Sequence, residues 1–505
     1  ADRGVSIGGW NEDELERFIR DRMMPLVAAA TSSAVVNARK YGAKGDGGSD
    51  DTAGLQRALN ACREGGTVFL PAGIYMVSAS LEMPRNVTLA GEHAPRWPYR
   101  GGSPSVIRAM PGFTGSGILN VRAYSITGLA PSSVVDAGDM GDTENDGGRV
   151  YRIALDGNNE SGSFNGVYMA GECRDWRFID VAIRRTPGSG FRTVTSSGTV
   201  RGLTLSHVVV DRSGNNGFSL NQTNDSHFHD CLAVANANDG FSIATTGENN
   251  FVGCRAVFNH ANGFNLTSSS FGSTFTGCST DRNEHNGFLV AASGSRPVTL
   301  AGCAFRRDGR NGNGGGGSYA GLAVFGATAP VVARGVVTMP GVDDDGSGTN
   351  SPQYGAYVAG STMVSLDGYF WGNSTPIGDG GSNTYLEVTP DTHMAVGVPG
   401  SATTWRRRLL FENYAASYTP NPVKSDAVVV ATLTGGITVN APSPAYRGQR
   451  LQFVFTQDGT GGRAVTWDAV FKVNWSPDTS ANKKNTIEFL FDGTNWIQTA
   501  AATGL

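Results

Sequence analysis

A four-residue motif that ends in Gly-Phe recurs four times in the middle of the chain at an almost constant interval. The copies are Asn215-Asn216-Gly217-Phe218, Asn238-Asp239-Gly240-Phe241, Ala261-Asn262-Gly263-Phe264 and His285-Asn286-Gly287-Phe288. Their phenylalanines are 23, 23 and 24 residues apart, and a cysteine series follows at spacings of 23, 24 and 25. That series comprises Cys231, Cys254, Cys278 and Cys303. A fixed period in the twenties predicts a solenoid, in which equivalent residues of successive coils lie on top of one another.

The composition favours the same architecture. The chain has 70 glycines among its 505 residues and only 17% charged residues, which is typical of many short strands joined by tight turns. The net charge of −4 gives no reason to expect a nucleic-acid partner. No apolar run approaches about 18 residues, so we expect no membrane insertion. Six cysteines are too few for a disulfide scaffold in a chain of this length and favour folding in a reducing environment.

The most conspicuous residues of the repeat are expected to be structural. One cysteine per coil cannot supply the converging tetrahedral ligands that zinc requires, so the cysteine series predicts a buried apolar column. Asn236, Asn259 and Asn283 each fall five residues after a cysteine, and their amides can hydrogen-bond from coil to coil. We therefore expect no metal site and no cofactor.

Candidate functional residues are those at which a column changes its chemical character. Seven residues after the successive phenylalanines come Asp225, Glu248, Phe271 and Ser295, with Arg296 next to the last. Two carboxylates on adjacent coils, about 4.8 Å apart at the backbone, suit glycoside hydrolysis. One acid would protonate the leaving oxygen, and the other would act as base or nucleophile. Asp225 and Glu248 are thus catalytic candidates, with Phe271 and Arg296 as substrate-binding candidates. The alternative is a pair of solvated loop acids.

A second candidate cluster begins three residues after Cys278. Its members are Asp281, Arg282, Glu284 and His285, with Arg306 and Arg307 one coil further on. A polysaccharide lyase needs a base, together with a cation or an arginine that neutralises the uronate carboxylate. We treat Asp281, Glu284 and His285 as catalytic candidates. The three arginines of the cluster are substrate-binding candidates, and a purely structural cluster is the alternative.

The chain divides into three predicted parts. Residues 1–36 are expected to form a helical adaptor, because Asn11 and Glu14 match a capping box ahead of a short apolar stripe. Residues 37–410 form the solenoid. Residues 411–505 are predicted to form an antiparallel β-sandwich or jelly-roll, because alternating apolar strands are separated by turn pairs.

Residues 37–93 contain the most distinctive local pattern. Asp50-Asp51-Thr52 predicts the start of a helix over 51–62, which is followed by Gly65-Gly66-Thr67-Val68-Phe69-Leu70-Pro71-Ala72-Gly73-Ile74-Tyr75 and later by Val87-Thr88-Leu89-Ala90-Gly91. This segment resembles the N-terminal part of the pectate-lyase-like right-handed parallel β-helix superfamily, in which the helix caps the open end of the solenoid. The resemblance implies an all-β fold built on a right-handed single-stranded parallel β-helix.

The C-terminal part resembles small domains of bacteriophage tail proteins. The resemblance lies in Gly448-Gln449-Arg450-Leu451, Thr466-Trp467-Asp468 and Phe491-Asp492-Gly493-Thr494-Asn495-Trp496. With the β-helix ahead of it, the whole chain looks like a phage tailspike or depolymerase. That resemblance implies a homotrimer in the virion tail, folded in the host cytoplasm, whose N-terminus binds phage tail or baseplate proteins. It also implies that the surface binds, and as a hydrolase or lyase cleaves, a bacterial surface polysaccharide.

Two alternative functions stay open. The first is a non-catalytic tail protein that binds the host receptor or only builds the tail tip. The second is a secreted polysaccharide lyase or epimerase. We expect the second less, because Ala1-Asp2-Arg3 does not begin a leader of basic and then apolar residues.

Overall fold

The structure is a computed structural model that describes most of the chain. The described residues are 35–62, 65–93, 105–122, 145–194, 198–270, 272–310, 319–388, 392–396, 403–406, 409–412, 414–420, 427–442, 445 and 448–505. The predicted N-terminal helix and the candidate Phe271 lie outside these residues.

One α-helix lies near the start of the described chain. It spans Thr52–Ala61, close to the predicted 51–62, and follows a 3₁₀ turn over Ala38–Tyr41. The N-cap residue is Asp51, but it is the preceding Asp50 whose Oδ1 accepts a hydrogen bond from the first helical N–H, at 2.9 Å. The carboxylate of Asp51 instead accepts the backbone N–H groups of residues 44–45, at 2.5 and 3.0 Å. Within the described ranges no helix is long and apolar enough to cross a membrane.

The solenoid is a right-handed parallel β-helix with three sheets, which we call A, B and C in the order in which each coil visits them. The strands of sheet A lie within Gly73–Glu82, Ser105–Arg122, Asn165–Ala170, Phe191–Val194, Phe218–Asn221, Phe241–Ala244, Phe264–Ser268, Phe288–Ala292, Ala320–Phe325, Tyr354–Ala359 and Thr375–Asp379. A small sheet at the corner between A and B comprises Asn145–Asp146, Cys173–Arg174, Val200–Arg201 and Thr223–Asn224.

Sheets B and C complete each coil, and several long strands bend from one sheet into the next. The strands of sheet B lie within Val35–Asn37, Gly66–Leu70, Val87–Gly91, Arg149–Tyr151, Arg177–Ile179, Thr204–Ser206, His227–His229, Asn250–Val252, Thr274–Thr276, Val298–Ala301, Val331–Met339, Met363–Gly372 and Tyr385–Val388. Those of sheet C lie within Asp46–Asp50, Gly73–Glu82, Ser105–Arg122, Ala154–Asp156, Ala182–Arg184, Val209–Asp211, Leu232–Val234, Arg255–Val257, Ser279–Asp281, Ala304–Arg306, Val331–Met339, Met363–Gly372, His393–Val396 and the antiparallel Thr403–Arg406.

The predicted phenylalanine column forms part of the core. The rings of Phe218 and Phe241 are 4.5 Å apart and 4° from parallel, and those of Phe241 and Phe264 are 4.6 Å apart. A second column on sheet B stacks Phe228 on Phe251 at 4.3 Å. Because all of these rings are fully buried, each coil adds one large apolar layer to the next.

Thiols and amides hold the coils together, as the repeat predicts. The six cysteines are buried and free of disulfide bonds, and each thiol of the predicted column donates to a backbone carbonyl. Asn236 Nδ2 donates to Asn259 Oδ1 at 2.8 Å, and Asn259 Nδ2 donates to Asn283 Oδ1 at 2.8 Å. Both predicted columns are therefore scaffold.

The C-terminal strands form two sheets over a separate apolar core. One sheet contains Leu409–Glu412, Ala427–Leu433, Arg450–Gln457, Lys484–Phe491, Trp496–Ala502 and Phe471–Lys472, and the other contains Ser417–Tyr418, Ile437–Val439 and Val465–Trp467. The pairing is mixed: Arg450–Gln457 is antiparallel to Lys484–Phe491 but parallel to Ala427–Leu433. The first strands alternate between the two sheets. Each time the chain returns to a sheet, the new strand therefore lies parallel to the previous strand of that sheet. The strands Lys484–Phe491 and Trp496–Ala502, on either side of Asp492-Gly493, form an antiparallel hairpin.

Candidate functional site

Asp225 and Glu248 lie at equivalent positions of two successive coils, at the corner between sheets A and B. The strand Thr223–Asn224 precedes Asp225, and Asn224 pairs with Gly247, the residue before Glu248. The N–H of Asp225 donates a hydrogen bond to the Gly247 carbonyl at 3.3 Å. The two residues therefore stack on adjacent coils, as the repeat predicts.

The backbone of this corner is left-handed. Asp225 has a φ of 52° and Glu248 a φ of 59°, and the equivalent residues Asp175, Gly202 and Gly272 have values of 55°, 63° and 69°. Left-handed backbone favours glycine and tolerates aspartate, so the corner itself favours such residues. Beyond this conformational role, Asp225 is exposed and makes no ion pair with any other described residue. Its carboxylate is free to meet a ligand.

The Glu248 carboxylate forms an ion pair with Arg296, two coils further on. Gly272 lies on the coil between them, and a Cβ there would come within 3.3 Å of Glu248 Cγ and 3.5 Å of Arg296 Cβ. The glycine therefore leaves room for the two long side chains to meet. Both side chains are about half exposed, at 45% and 58%, so the pair stays open to solvent. The predicted neighbour Arg296 is thus in contact with Glu248.

Asp281 has a different environment, because arginines enclose its carboxylate. Arg307 donates to it through Nε at 2.8 Å and Nη2 at 2.7 Å, and Arg306 Nη2 donates at 3.1 Å. Arg255 lies 3.7 Å away. The side chain is only 5% exposed. Asp281 is therefore a structural carboxylate, and its partners Arg306 and Arg307 are engaged with it.

The remaining arginine of this cluster holds a loop. Arg282 pairs with Asp344 and, at 3.2 Å, with Asp343, and its guanidinium lies 5.1 Å from the centre of the Phe258 ring. Arg307 also donates to Asp344 at 2.5 Å. Hydrogen bonds from the two arginines lower the pKa of Asp344 to about 2. Asp343 and Asp344 therefore pair with Arg282 and Arg307, and these two arginines are engaged within the protein.

Glu284 and His285 lie at the corner that leads back to sheet A, and three further residues join them. Glu284 Oε1 is 3.4 Å from His260 Nδ1 and 3.5 Å from Arg310 Nη2. The His285 ring stacks on Tyr319, with centroids 4.8 Å apart. Both predicted side chains are partly exposed, so they can reach a ligand. His260 could have been found by counting, because it follows Asn259 as Glu284 follows Asn283. Arg310 and Tyr319 escaped prediction because they lie where the coil length departs from the repeat.

Comparison with family models gives two matches. Residues 35–288 match the family described as "Rhamnogalacturonase A/epimerase, pectate lyase-like", which is half of the chain. The chain belongs to this family. Residues 418–496 match a second family, described as "Putative phage tail fibre C-terminal domain". The pectate-lyase-like match ends inside the β-helix, and the tail fibre match falls within the C-terminal sheets.

Similar proteins include mannuronan C5-epimerases of Azotobacter vinelandii. AlgE4 is 33% identical over 217 residues, or 40% of this chain and 34% of that protein, and AlgE3 is 32% identical over 200 residues, or 36% and 9%. The chain therefore spans about a third or less of these relatives. Among solved structures, the AlgE4 A-module has a TM-score of 0.49 at 21% identity, covering 72% of this chain and 96% of that one. The gp42 tailspike of Acinetobacter phage vb_AbaP_AS12 has a TM-score of 0.48 at 12% identity, covering 93% and 81%.

Asp308 is a titratable residue of the pectate-lyase-like β-helix whose environment prediction missed. Asn283 Nδ2 donates to Asp308 Oδ1 at 2.8 Å, and Thr280 Oγ1 donates to Oδ2 at 2.5 Å, so the carboxyl ends the amide ladder. It has no exposed surface, and this burial raises its pKa to about 7. The spacing carried the signal, because Asp308 follows Cys303 by the five residues that separate Asn236 from Cys231.

Proposed function

We propose that this protein is a bacteriophage tailspike-type protein that binds a bacterial surface polysaccharide and cleaves it by glycoside hydrolysis. The observation that carries the proposal is the joining of two family matches in one chain. A pectate-lyase-like β-helix, matched over residues 35–288, precedes a match to a tail fibre C-terminal domain over residues 418–496. A β-helix presents parallel ridges of side chains, which suit an extended polymer.

Asp225 and Glu248 are the proposed catalytic carboxylates. Retaining glycosidases place two carboxyl groups about 5–5.5 Å apart, and adjacent coils set backbones about 4.8 Å apart. Glu248, held beside Arg296, would attack the anomeric carbon or act as base. Asp225, exposed at the neighbouring corner, would donate the proton to the leaving oxygen. Arg296 would position Glu248.

The proposed biological setting follows from the tailspike assignment. The protein would form a homotrimer in the virion tail, its N-terminal adaptor would bind tail or baseplate proteins, and its β-helix would meet the host surface. The expected limits 1–36, 37–410 and 411–505 would divide the strands Val35–Asn37 and Leu409–Glu412, which pair within the β-helix and the C-terminal sheet, so the proposed limits are 1–34, 35–408 and 409–505. Chemical crosslinking or analytical ultracentrifugation of the full chain tests the trimer directly.

A second candidate function is lyase or epimerase chemistry on a polyuronate. The match to mannuronan C5-epimerases favours it, and mannuronan is a chain of acidic sugars. The groups available are Glu284 with His260, and His285 stacked on Tyr319, with Arg310 as the cation. In this function His285 or Tyr319 would remove the proton at C5, while Arg310 neutralised the uronate.

Product chemistry distinguishes the candidates. We would incubate the protein with a panel of purified bacterial capsules and O-chains, and with mannuronan. New reducing ends without unsaturated sugars support the hydrolase, and unsaturated ends or C5 inversion support the second candidate. Binding without any product contradicts both and leaves a non-catalytic tail protein. Asp230→Asn is the matched control for Asp225→Asn, because Asp230 is also an exposed acid at a left-handed corner, with a φ of 51°.

A further inference from the structure

The outward face of sheet A is free of charged side chains over six consecutive strands, from Phe218–Asn221 to Tyr354–Ala359. Its first three strands present serine, threonine, asparagine and alanine, and the next strand presents leucine and alanine. On the same coils sheet C carries Arg255 and Arg306, whereas the strands of sheet B from His227–His229 to Val298–Ala301 present histidine, asparagine, valine, threonine and alanine. The strip of sheet A therefore differs in charge from sheet C.

The strip ends in an exposed aromatic cluster. Phe325 is 40% exposed, and its ring lies 5.3 Å from that of Tyr357, which lies 4.9 Å from Tyr354. A Cβ at Gly378, on the next strand, would lie 2.7 Å from both tyrosine rings. The two tyrosine rings therefore pack directly on the backbone of Gly378, and a larger residue there would displace them. This packing fixes the rings before a ligand arrives.

We propose that this strip binds an uncharged sugar chain, with Phe325 and Tyr357 forming a platform for one sugar ring. A pyranose presents apolar C–H groups on its faces and hydroxyls on its edge. The aromatic faces suit the former, and the serine, threonine and asparagine side chains suit the latter. An acidic sugar would lie on this strip without an arginine or lysine to pair with, which is costly once water is excluded.

The platform is distinct from the proposed catalytic pair. The strand that carries Phe325 belongs to the fourth coil after that of Asp225, which places it about 19 Å further along the axis at about 4.8 Å per coil. A chain of several sugars would span both sites. The proposal therefore concerns binding and goes beyond cleavage at Asp225 and Glu248.

Affinity electrophoresis in native gels tests the platform. Gels would contain dextran, a mannan or a galactan as neutral probes, or alginate as the acidic probe. The base protein is Asp225→Asn, in which hydrolysis of the probe is expected to be slow. We expect retardation by at least one neutral probe, and about tenfold weaker binding on Phe325→Leu or Tyr357→Leu, as one lost stacking contact would give. Met363→Ala removes a 47% exposed side chain from another strand and serves as control.

The outcomes are decisive in both directions. Retardation by a neutral probe that is lost in the leucine variants, but kept by Met363→Ala, supports the platform. Retardation by alginate alone, none by the neutral probes, or equal retardation of leucine variants with unchanged melting temperature overturns it. Phe325→Tyr keeps an aromatic ring and is expected to bind, which separates loss of the ring from loss of folding. Cleavage by the wild-type protein is scored separately, so failure of either proposal is recognisable.

Discussion

Two carboxylate clusters of the β-helix interrupt its regular columns, and they differ in what surrounds them. Asp281 is enclosed by arginines and its side chain is 5% exposed, whereas Glu248 meets a single arginine and is 45% exposed. Asp225, beside it, is exposed. The comparison shows that a change of residue type in a column locates a charged residue but does not tell whether that residue is structural or functional. The carboxylate of Asp281 is occupied by arginines, whereas the carboxylates of Asp225 and Glu248 are open to a ligand.

The largest expected effect is on catalysis. Asp225→Asn and Glu248→Gln should each lower the rate of polysaccharide cleavage by about 10²- to 10⁴-fold, because each removes a proton donor, base or nucleophile. Reducing-end assays of the purified variants measure this. Asp281→Asn, assayed at a temperature at which it stays folded, should keep its rate. Full cleavage by Asp225→Asn would show that the exposed carboxylate of Asp225 is not catalytic.

The second expected effect is on stability. Asp281→Asn should lower the free energy of unfolding by about 3 kcal/mol, because it leaves the guanidinium groups of Arg306 and Arg307 without their shared anion. Urea denaturation, followed by tryptophan fluorescence, measures the loss. Asp230→Asn is the control, since its 61% exposed carboxylate lies 3.8 Å from His207 and should contribute little. An unchanged midpoint for Asp281→Asn would show that the enclosure does not stabilise the fold.

The third expected effect is a gain in stability that depends on pH. Burial raises the pKa of Asp308 to about 7 from its ordinary 3.8, so the folded protein binds this proton more tightly than the unfolded chain does. The resulting stability is present in full below pH 3.8 and is lost as the pH rises to about 7. Asp308→Asn, which extends the amide ladder, should therefore raise the melting temperature above pH 7 and change it little near pH 3.8. A lowered melting temperature above pH 7 would contradict this.

The smallest effect is expected for the open ion pair. Arg296→Ala should change the free energy of unfolding by less than about 1 kcal/mol, because solvent screens the contact with Glu248. It should still reduce cleavage, since Arg296 positions that carboxylate. Denaturation and reducing-end assays on the same preparation separate the two effects. A large loss of stability with normal cleavage would move this pair into the structural class with Asp281.

Sequence periodicity predicted the scaffold well because stacking is a property of spacing. The intervals between Phe218, Phe241 and Phe264 placed their rings in one column, and the asparagines that follow the cysteines placed the amide ladder. The open corner at Asp225 followed from the same counting. These features need only the register of neighbouring coils, which constant repeat lengths reveal.

Partners that reach across irregular coils could not be predicted. Arg307 donates to Asp281 and also to Asp344, 37 residues further on, where the coil length has departed from the repeat. His260 and Glu284, by contrast, each follow a ladder asparagine by one residue, so counting could have paired them. In the C-terminal region, strand patterns were visible, but alternation between two sheets made several neighbours parallel. Side-chain reach and strand order therefore needed the structure.

The most direct test of the proposed catalytic pair is a crystal structure of the Asp225→Asn variant with a bound oligosaccharide from a polysaccharide that the wild-type protein cleaves. We expect the scissile glycosidic oxygen to lie between residue 225 and the carboxylate of Glu248, on two adjacent coils. A sugar chain bound instead across Glu284 and His285, with its scissile bond away from residue 225, would contradict the assignment.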